Sequence, residues 1–288
     1  MLETISLGKS YCGYCFSDSI RDIMTNMERI IQSLARTGER PLAMGILNIT
    51  PDSFHDGGCY SDTASAVKQA LTLAEEGADI IDVGAASSRP GYTPLSAAEE
   101  SSRLMPVLEA LKDEFLPPLS IDTDKAEVAA AALDHGVNII NDTSGDIESG
   151  CFELAAARKA PLIVMHREAG EHERDVVAEV ERFFNDALKK AAAVGLPPHL
   201  LVFDPGLGFN KDLAENAALI EAIPRFKQLG QPILIGYSHK RYTASLAGET
   251  PGNAPVGNAI LARRVCALGA DIIRVHEVQA FWESIGHG

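Results

Sequence analysis

Short apolar runs alternate with longer amphipathic stretches along the chain from about residue 42 to its end. Runs of this length, rich in Ile, Leu and Val, are typical of strands that are buried on both faces of a parallel sheet. The predicted strands cover residues 42–49, 79–84, 118–122, 138–142, 161–166, 200–204, 232–237 and 271–276. Repeated strand and helix units of this kind indicate an α/β fold.

The stretches between the predicted strands have helical periodicity. After the first strand, Ala66, Ala70, Leu73 and Ala74 recur on one face, and Gly77 supplies a helix stop. Eight parallel strands with helices between them predict a single (β/α)8 TIM barrel closed by right-handed crossovers. The alternative is an open doubly wound sheet. Such a sheet usually has fewer strands, and no dinucleotide-binding fingerprint follows the first strand here.

The first forty residues lie outside this rhythm. Residues 17–35 predict one amphipathic helix. Its apolar stripe consists of Ile20, Ile23, Met27, Ile30, Ile31 and Leu34. We therefore expect an N-terminal helical extension, residues 1–40, that covers the bottom or the flank of a barrel formed by residues 41–288.

Composition narrows the class of protein. The 288 residues carry 25 Lys and Arg against 40 Asp and Glu, so the net charge is −15, and 46% of the residues are hydrophobic. This acidic balance argues against nucleic acid or an anionic membrane as the partner. No apolar run approaches the ~20 residues of a membrane span, and the N-terminus lacks a basic region followed by an apolar stretch. We expect a cytoplasmic protein that acts on small molecules.

The five cysteines are an odd number spread over a long chain, which disfavours a disulfide framework. Cys12 and Cys15 form one C-x-x-C pair. A structural zinc site would need two further ligands, and a thioredoxin-type motif would be expected at a strand-to-helix junction. Plain reduced thiols are therefore the favoured interpretation.

Polar residues stand at the carboxyl ends of the predicted strands, where a barrel of this kind builds its active site. They are Asn48, Asp82, Asp122, Asn141, Asp142, His166, Asp204, Ser238, Lys240, Arg274 and His276. One polar strand end is commonly a helix N-cap, but capping does not explain residues within strands such as Arg274 and Asp122. The long Gly- and Pro-containing loops after the first two strands suit a functional site at the same face.

Eight segments carry a more specific signal. They are MGILNITPDSFHDGG, DVGAASSRPG, SIDTDKAEV, IINDTSG, IVMH, VFDPGLGFNK, GYSHK and IIRVHEV. In this order they resemble the signature segments of the dihydropteroate synthase family, over about residues 42–280. The resemblance implies a transferase that condenses 6-hydroxymethyl-7,8-dihydropterin pyrophosphate with p-aminobenzoate, by a dissociative substitution at the pterin methylene.

The resemblance also implies a pterin site. A pterin presents a fork of two N–H donors beside an acceptor, and a buried carboxylate can accept both donors. Asp204 matches the family residue for this task. Asp122 and Asn141 would supply further contacts to the ring edge, Lys240 would reach a ring oxygen or nitrogen, and Met165 would form an apolar wall.

A second group of residues matches the anion-binding positions of the family. The members are Asn48, Ser88, Arg89, Arg274 and His276. Arginine can bind phosphate oxygens in bidentate fashion. Mg²⁺ is implied as the cofactor, with Asn48 as its protein ligand, because this ion is usually held by few protein groups together with phosphate and water.

The remaining family positions concern the reacting carbon and the second substrate. Asp56 matches the carboxylate that faces the developing cation, and it is expected to be catalytic together with Lys240 and Asn48. Phe54 and Pro90 would form the aminobenzoate pocket. The carboxylate end of that pocket would lie near Lys240 and two further residues, Ser238 and Arg241.

Several departures from the family pattern leave alternatives open. His239 replaces the usual Arg before Lys240, and Ala86 stands where the family has Glu in its G-G-E-S-T-R-P-G segment. The loop after His166 is short, and the eighth helix is expected to be truncated, which affects the homodimer surface that the family forms with helices seven and eight. A pterin-binding paralogue without synthase activity and a pterin-dependent methyltransferase on the same barrel are the alternatives.

Overall fold

The computed structural model describes residues 40–49, 59–85, 95–167 and 175–286. Eight strands are present, and each lies within or one residue beyond a predicted run. They are β1 Leu42–Asn48, β2 Ile80–Gly84, β3 Leu119–Thr123, β4 Ile139–Asp142, β5 Leu162–Met165, β6 Leu201–Asp204, β7 Leu234–Gly236 and β8 Ile272–Val275.

Helices follow the strands in the described residues. They are α1 Cys59–Glu75, α2 Ala97–Leu111, α3 Ala126–Asp134, α4 Cys151–Arg158, α5 Val176–Val194, α6 Leu213–Glu221, α7 Ile223–Phe226, α8 Arg241–Ser245, α9 Pro255–Ala267 and α10 Val278–Ser284. Short 3-10 turns at Pro198–Leu200 and Lys227–Leu229 complete the connections. Among these helices, none is both long and apolar enough to cross a membrane.

All strand pairs are parallel, in the order β6-β5-β4-β3-β2-β1-β8-β7. The two ends of this sheet meet. Phe203 of β6 bridges to Ile233, just before β7, and its N–H donates to the carbonyl of Pro232 at 3.0 Å. The sheet is therefore a closed (β/α)8 barrel, which confirms the predicted fold class and excludes the open doubly wound sheet.

Side chains alternate between the two faces of each strand, so every second residue points into the barrel. The lower interior is a closed apolar layer. It consists of Met44, Ile80, Ile139, Ile163, Val202, Leu234 and Ile272, each no more than 2% exposed. The next inward positions toward the carboxyl ends are mostly polar, and this change from apolar to polar places the functional site at the upper mouth of the barrel.

A larger hydrophobic core lies between the strands and the surrounding helices. Aromatic rings from α5, β6 and α7 meet there: Phe184 stacks on Phe203 at 4.3 Å between centroids and contacts Phe226 edge-on at 5.4 Å. The connections after β6 and β7 each hold two helices instead of the single helix that the pattern predicted. Pro224, the second residue of α7, has no N–H with which to continue the hydrogen bonds of α6, so the helix is interrupted before it.

The eighth helix, α10, has only seven residues, as the sequence predicted. It is attached to the bottom of the barrel by Trp282, whose Nε1–H donates to the carbonyl of Gly77 at 3.0 Å. The guanidinium of Arg40 lies 4.6 Å from the centre of the Trp282 ring and pairs with Asp79 at 2.6 Å. The predicted helix at 17–35 and the Cys12–Cys15 pair lie outside the described residues.

Candidate active site

The polar layer at the mouth of the barrel contains a network of charged side chains. We use the term polar layer for Asp82, Asp122, Asn141, Asp204, Lys240 and Arg274. Arg274 of β8 donates from Nε to Asp82 Oδ2 at 2.6 Å and from Nη2 to Asp122 Oδ2 at 2.5 Å. Asn141 of β4 donates from Nδ2 to the same Asp82 oxygen at 3.0 Å. Four strands thus meet in one hydrogen-bonded group, because these residues all occupy inward positions.

Asp122, a carboxylate of this group, has a raised pKa. Burial raises its pKa to about 6, and the nearby negative charge of Asp82 adds to that effect, although Arg274 acts in the opposite direction. Thr143 donates its hydroxyl to Asp122 Oδ1 at 3.1 Å. Asp122 is therefore ionised at neutral pH but takes up a proton in mild acid.

Asp204 ends β6 and lies in the same layer. Its Oδ1 accepts the N–H of Gly206 at 2.7 Å, and burial raises its pKa, against the attraction of Lys240. Gly206 has a φ of +68°, and a Cβ there would lie 2.0 Å from the carbonyl oxygen of His166. The following helix, α6, is capped by Asp212 and not by Asp204. The carboxylate of Asp204 is therefore available for a ligand.

Lys240 is the residue just before α8, and its side chain extends into the site. Its Nζ donates to the carbonyl of Leu207 and lies 4.6 Å from the centre of the Phe209 ring. Burial lowers the pKa of Lys240 to about 8, although Asp204 attracts the charged form. A Cβ at Gly208 would come within 2.9 Å of Lys240 Cδ. This glycine therefore makes room for the lysine side chain.

Two stacked histidines form the rim beside β7 and β8. The rings of His239 and His276 are 4.0 Å apart, His276 Nδ1 lies 3.0 Å from Ser238 Oγ, and His239 Nε2 lies 2.7 Å from Glu277 Oε1. Burial and the neighbouring His239 lower the pKa of His276 to about 3. At neutral pH His276 is therefore uncharged and can offer an anion an N–H donor, not a positive charge.

Asn48 lies at the exposed end of β1. With His276 and Glu277 it lines one end of an open cleft of about 820 Å³ whose other walls are mostly the helices α1 and α10. Its amide oxygen is the type of ligand that Mg²⁺ prefers. The described residues contain no cluster of three or more His, Cys, Asp or Glu side chains that could hold a metal. A magnesium ion at Asn48 would need further oxygen ligands, which a phosphate-bearing ligand and water can supply.

The structure brings most of the described site residues to one place. Met165 is buried and pairs in register with Asp204. Arg241 is exposed at the start of α8. The predicted site residues that lie outside the described residues are Phe54, Asp56, Ser88, Arg89 and Pro90.

Sequence reasoning assigned no role to Asp82, although the structure places it at the centre of the network. The available signal was the two-residue period of β2, which puts Asp82 on the same face as Ile80 and therefore inside the barrel. Thr143, which donates to Asp122, was also missed, although it lies within the signature segment IINDTSG.

Comparison with known proteins agrees with this geometry. Residues 44–276 match the family described as pterin binding enzyme. A dihydropteroate synthase of Synechocystis sp. is 38% identical over 272 residues, covering 91% of this chain and 94% of that protein. Among solved structures, a Clostridium difficile dihydropteroate synthase in the presence of pteroic acid is 35% identical with a TM-score of 0.83, covering 87% of this chain and 96% of that one.

A Xanthomonas albilineans dihydropteroate synthase with 4-aminobenzoic acid is 40% identical, with a TM-score of 0.82, and the match covers 86% of this chain and 92% of that one. The family match, residues 44–276, reaches all eight strands and includes every described residue of the polar layer. The chain belongs to the pterin binding enzyme family, and within it to the dihydropteroate synthases.

Proposed function

We propose that this protein is a dihydropteroate synthase that joins 6-hydroxymethyl-7,8-dihydropterin pyrophosphate to p-aminobenzoate and releases pyrophosphate. The observation that carries the proposal is the polar layer at the mouth of the barrel. Asp122, Asn141, Asp204, Lys240 and Arg274 meet there, and the resemblance assigns all five to pterin or diphosphate.

Pterin recognition follows from the chemistry of these groups. The Asp204 carboxylate accepts the two N–H donors of the 2-amino-4-oxo edge, and one of its oxygens is already oriented by Gly206. Lys240, which carries its proton below about pH 8, donates to a ring oxygen or nitrogen. Met165 supplies an apolar contact for the ring beside Asp204.

The diphosphate is expected to bind toward the rim. Arg274 offers guanidinium donors, His276 offers a neutral imidazole N–H, and Asn48 would hold Mg²⁺ together with the diphosphate oxygens. Bound there, Mg²⁺ would supply neutralisation of the leaving group's negative charge. Ser88 and Arg89 are assigned to the same anion by resemblance, and these two assignments stay predictions.

The reaction needs no strong base. The bond between the pterin methylene carbon and the diphosphate oxygen breaks, and its electron pair leaves with pyrophosphate. The neutral amine of p-aminobenzoate forms the new C–N bond and releases one proton to water. Asp56 would stabilise the positive charge on the methylene carbon.

The aminobenzoate side is expected above the pterin. Ser238 lies beside His276, and Arg241 stands exposed one residue after Lys240, so both are near the rim. Phe54 and Pro90 would complete the pocket from the first two loops. The assignments of these four residues to p-aminobenzoate stay predictions.

A homodimer is the proposed assembly. Val256 and Ile260 lie four residues apart on α9, the helix before β8, and are 55% and 43% exposed. Such a pair of aliphatic side chains on one helix face suits burial against a second copy. The family surface also uses the eighth helix, which has only seven residues here. The cytoplasmic location also stays a prediction.

The direct test is to incubate the full chain with dihydropterin pyrophosphate, p-aminobenzoate and Mg²⁺ and to measure dihydropteroate and pyrophosphate. We expect both products in equal amounts, loss of turnover when a chelator removes Mg²⁺, and recovery when it is added back. Pterin binding without product would instead indicate the paralogue that binds pterin but is not a synthase. The pairing of His239 with Glu277, at the position of the family Arg, is the observation that favours this alternative.

The lowered pKa of Lys240 predicts an alkaline limit to pterin recognition. We expect kcat/KM for the pterin substrate to fall with an apparent pKa of about 8, because Lys240 loses its proton there. An ordinary lysine would hold its proton to about pH 10.4. Lys240→Arg is the matched variant, since arginine stays charged throughout. If the alkaline limb is unchanged in this variant, it belongs to the ligand and not to Lys240.

A further inference from the structure

Asp82 is the most deeply placed charged group of the polar layer. Its side chain is fully buried, inside the barrel on β2 and one inward position above the apolar residue Ile80. A buried carboxylate at such a place is costly unless it is paired. Neither the proposed pterin contacts nor the proposed diphosphate contacts use this residue, so its presence calls for a separate explanation.

A single oxygen of Asp82 organises two predicted ligand-binding residues. Asp82 Oδ2 accepts Arg274 Nε at 2.6 Å and Asn141 Nδ2 at 3.0 Å. An amide that donates its Nδ2–H to Asp82 keeps its carbonyl oxygen as the group that can accept a ring N–H. An arginine held through Nε has a fixed guanidinium plane, and its Nη2 donates to the next carboxylate, Asp122.

We propose that Asp82 is a positioning residue for pterin binding: it orients the Asn141 amide as a hydrogen-bond acceptor and fixes the guanidinium of Arg274 across the mouth of the barrel. The inference rests on the proposed function. It adds to that function a residue that touches no substrate and acts through two residues that do. Outer residues that orient binding groups in this way commonly change affinity by about 10- to 100-fold when they are removed.

Ser120 provides a matched control. It lies in register with Asp82 on the neighbouring strand and is also fully buried. In the described part of the chain its hydroxyl has no hydrogen-bond partner, so it contacts neither Asn141 nor Arg274 in this way. Ser120→Ala therefore changes the polarity of the same interior layer without disturbing the two residues that Asp82 holds.

The test compares the full-length parent, Asp82→Asn and Ser120→Ala. Calorimetry with pterin-6-carboxylic acid measures pterin affinity, and steady-state assays measure KM for each substrate. We expect Asp82→Asn to weaken pterin binding by about 10- to 100-fold and to leave KM for p-aminobenzoate within about twofold, with Ser120→Ala unchanged in both. Circular dichroism and urea unfolding establish that the variants are folded. Asp82→Ser replaces Asp82→Asn if the latter does not fold.

Two further readouts separate positioning from a general structural role. In an Asn141→Ala background, Asp82→Asn should cost less pterin affinity than it does in the parent, because part of its action passes through Asn141. Pterin affinity is expected to fall in acid as Asp122 takes up its proton. In Asp82→Asn this fall should move to lower pH, because the negative charge of Asp82 raises the pKa of Asp122, as that of Glu100 does, while Arg274 lowers it.

The outcomes are distinct. A folded Asp82 variant with parent-like pterin affinity, or one whose loss is the same with and without Asn141, would overturn the positioning role while the proposed function stands. A parent protein that binds no pterin would overturn both.

Discussion

Asp204→Asn should weaken pterin binding by about 30- to 5000-fold, the equivalent of roughly 2 to 5 kcal/mol. The carboxylate is buried at the end of β6, and one of its oxygens already accepts the N–H of Gly206. An amide at this position replaces one acceptor by a donor that faces the ring's own N–H, and it removes the negative charge. Titration with pterin-6-carboxylic acid measures the loss.

Asp142→Asn is the matched control for this change. Asp142 is also a buried aspartate at a strand end, but its oxygens accept the N–H of Ser144 and the hydroxyl of Ser149 within its own loop. We expect this variant to lose some stability and to keep its pterin affinity. Equal affinity losses at both positions would show that Asp204 has no special place in pterin recognition.

Arg274→Met should lower the free energy of unfolding by about 3 to 5 kcal/mol at neutral pH. The substitution removes the only cation that directly pairs with Asp82 and Asp122 among the described residues. The two carboxylates then keep only their neutral donors, Asn141 and Thr143. Urea unfolding gives the loss. Arg264→Met is the control, because the Arg264–Glu221 pair is about half exposed on both sides and such pairs contribute at most about 1 kcal/mol.

The loss at Arg274 should depend on pH in a defined direction. Burial and Asp82 already raise the pKa of Asp122 to about 6, and removal of Arg274 raises it further. A carboxyl group whose pKa is higher in the folded state binds protons preferentially there, so the free energy of unfolding increases as pH falls. Between about pH 6 and the higher pKa of the variant, Asp122 is protonated in the variant but ionised in the parent. The deficit of Arg274→Met should therefore shrink as pH falls toward about 6 and stay constant below it. A deficit that does not change as pH falls from about 9 to about 6 would contradict this account.

The local pattern of the sequence predicts the barrel because each strand carries its own signal. The run at 42–49 becomes β1, and Asp122 and Asn141 face inward because their strands alternate. The local pattern does not predict the partners of Arg274. They lie 152 and 192 residues away in the chain, and only closure of the barrel brings them together. No periodicity shows that one arginine is shared by two aspartates.

The rim residues show a second limit of sequence reasoning. His239 is recognisable as a replacement for the family Arg, but its φ of +63°, its stacking on His276 and its contact with Glu277 depend on how two loops meet. The same holds for Lys240, whose lowered pKa follows from burial behind Gly208. Sequence motifs gave these residues an identity, whereas their charge states follow from the packing around them.

The apolar layer at the bottom of the barrel limits the route by which ligands can enter and leave the site. Its seven buried side chains, from Met44 to Ile272, close the bottom of the barrel, so in the described part of the chain the polar layer opens at the upper mouth. A ligand bound to Asp204 therefore lies near the closed end of a site with one opening. A second ligand bound nearer the rim would block its entry and exit. If the proposed function holds, the pterin substrate would bind before p-aminobenzoate, and dihydropteroate would leave through the same opening after pyrophosphate.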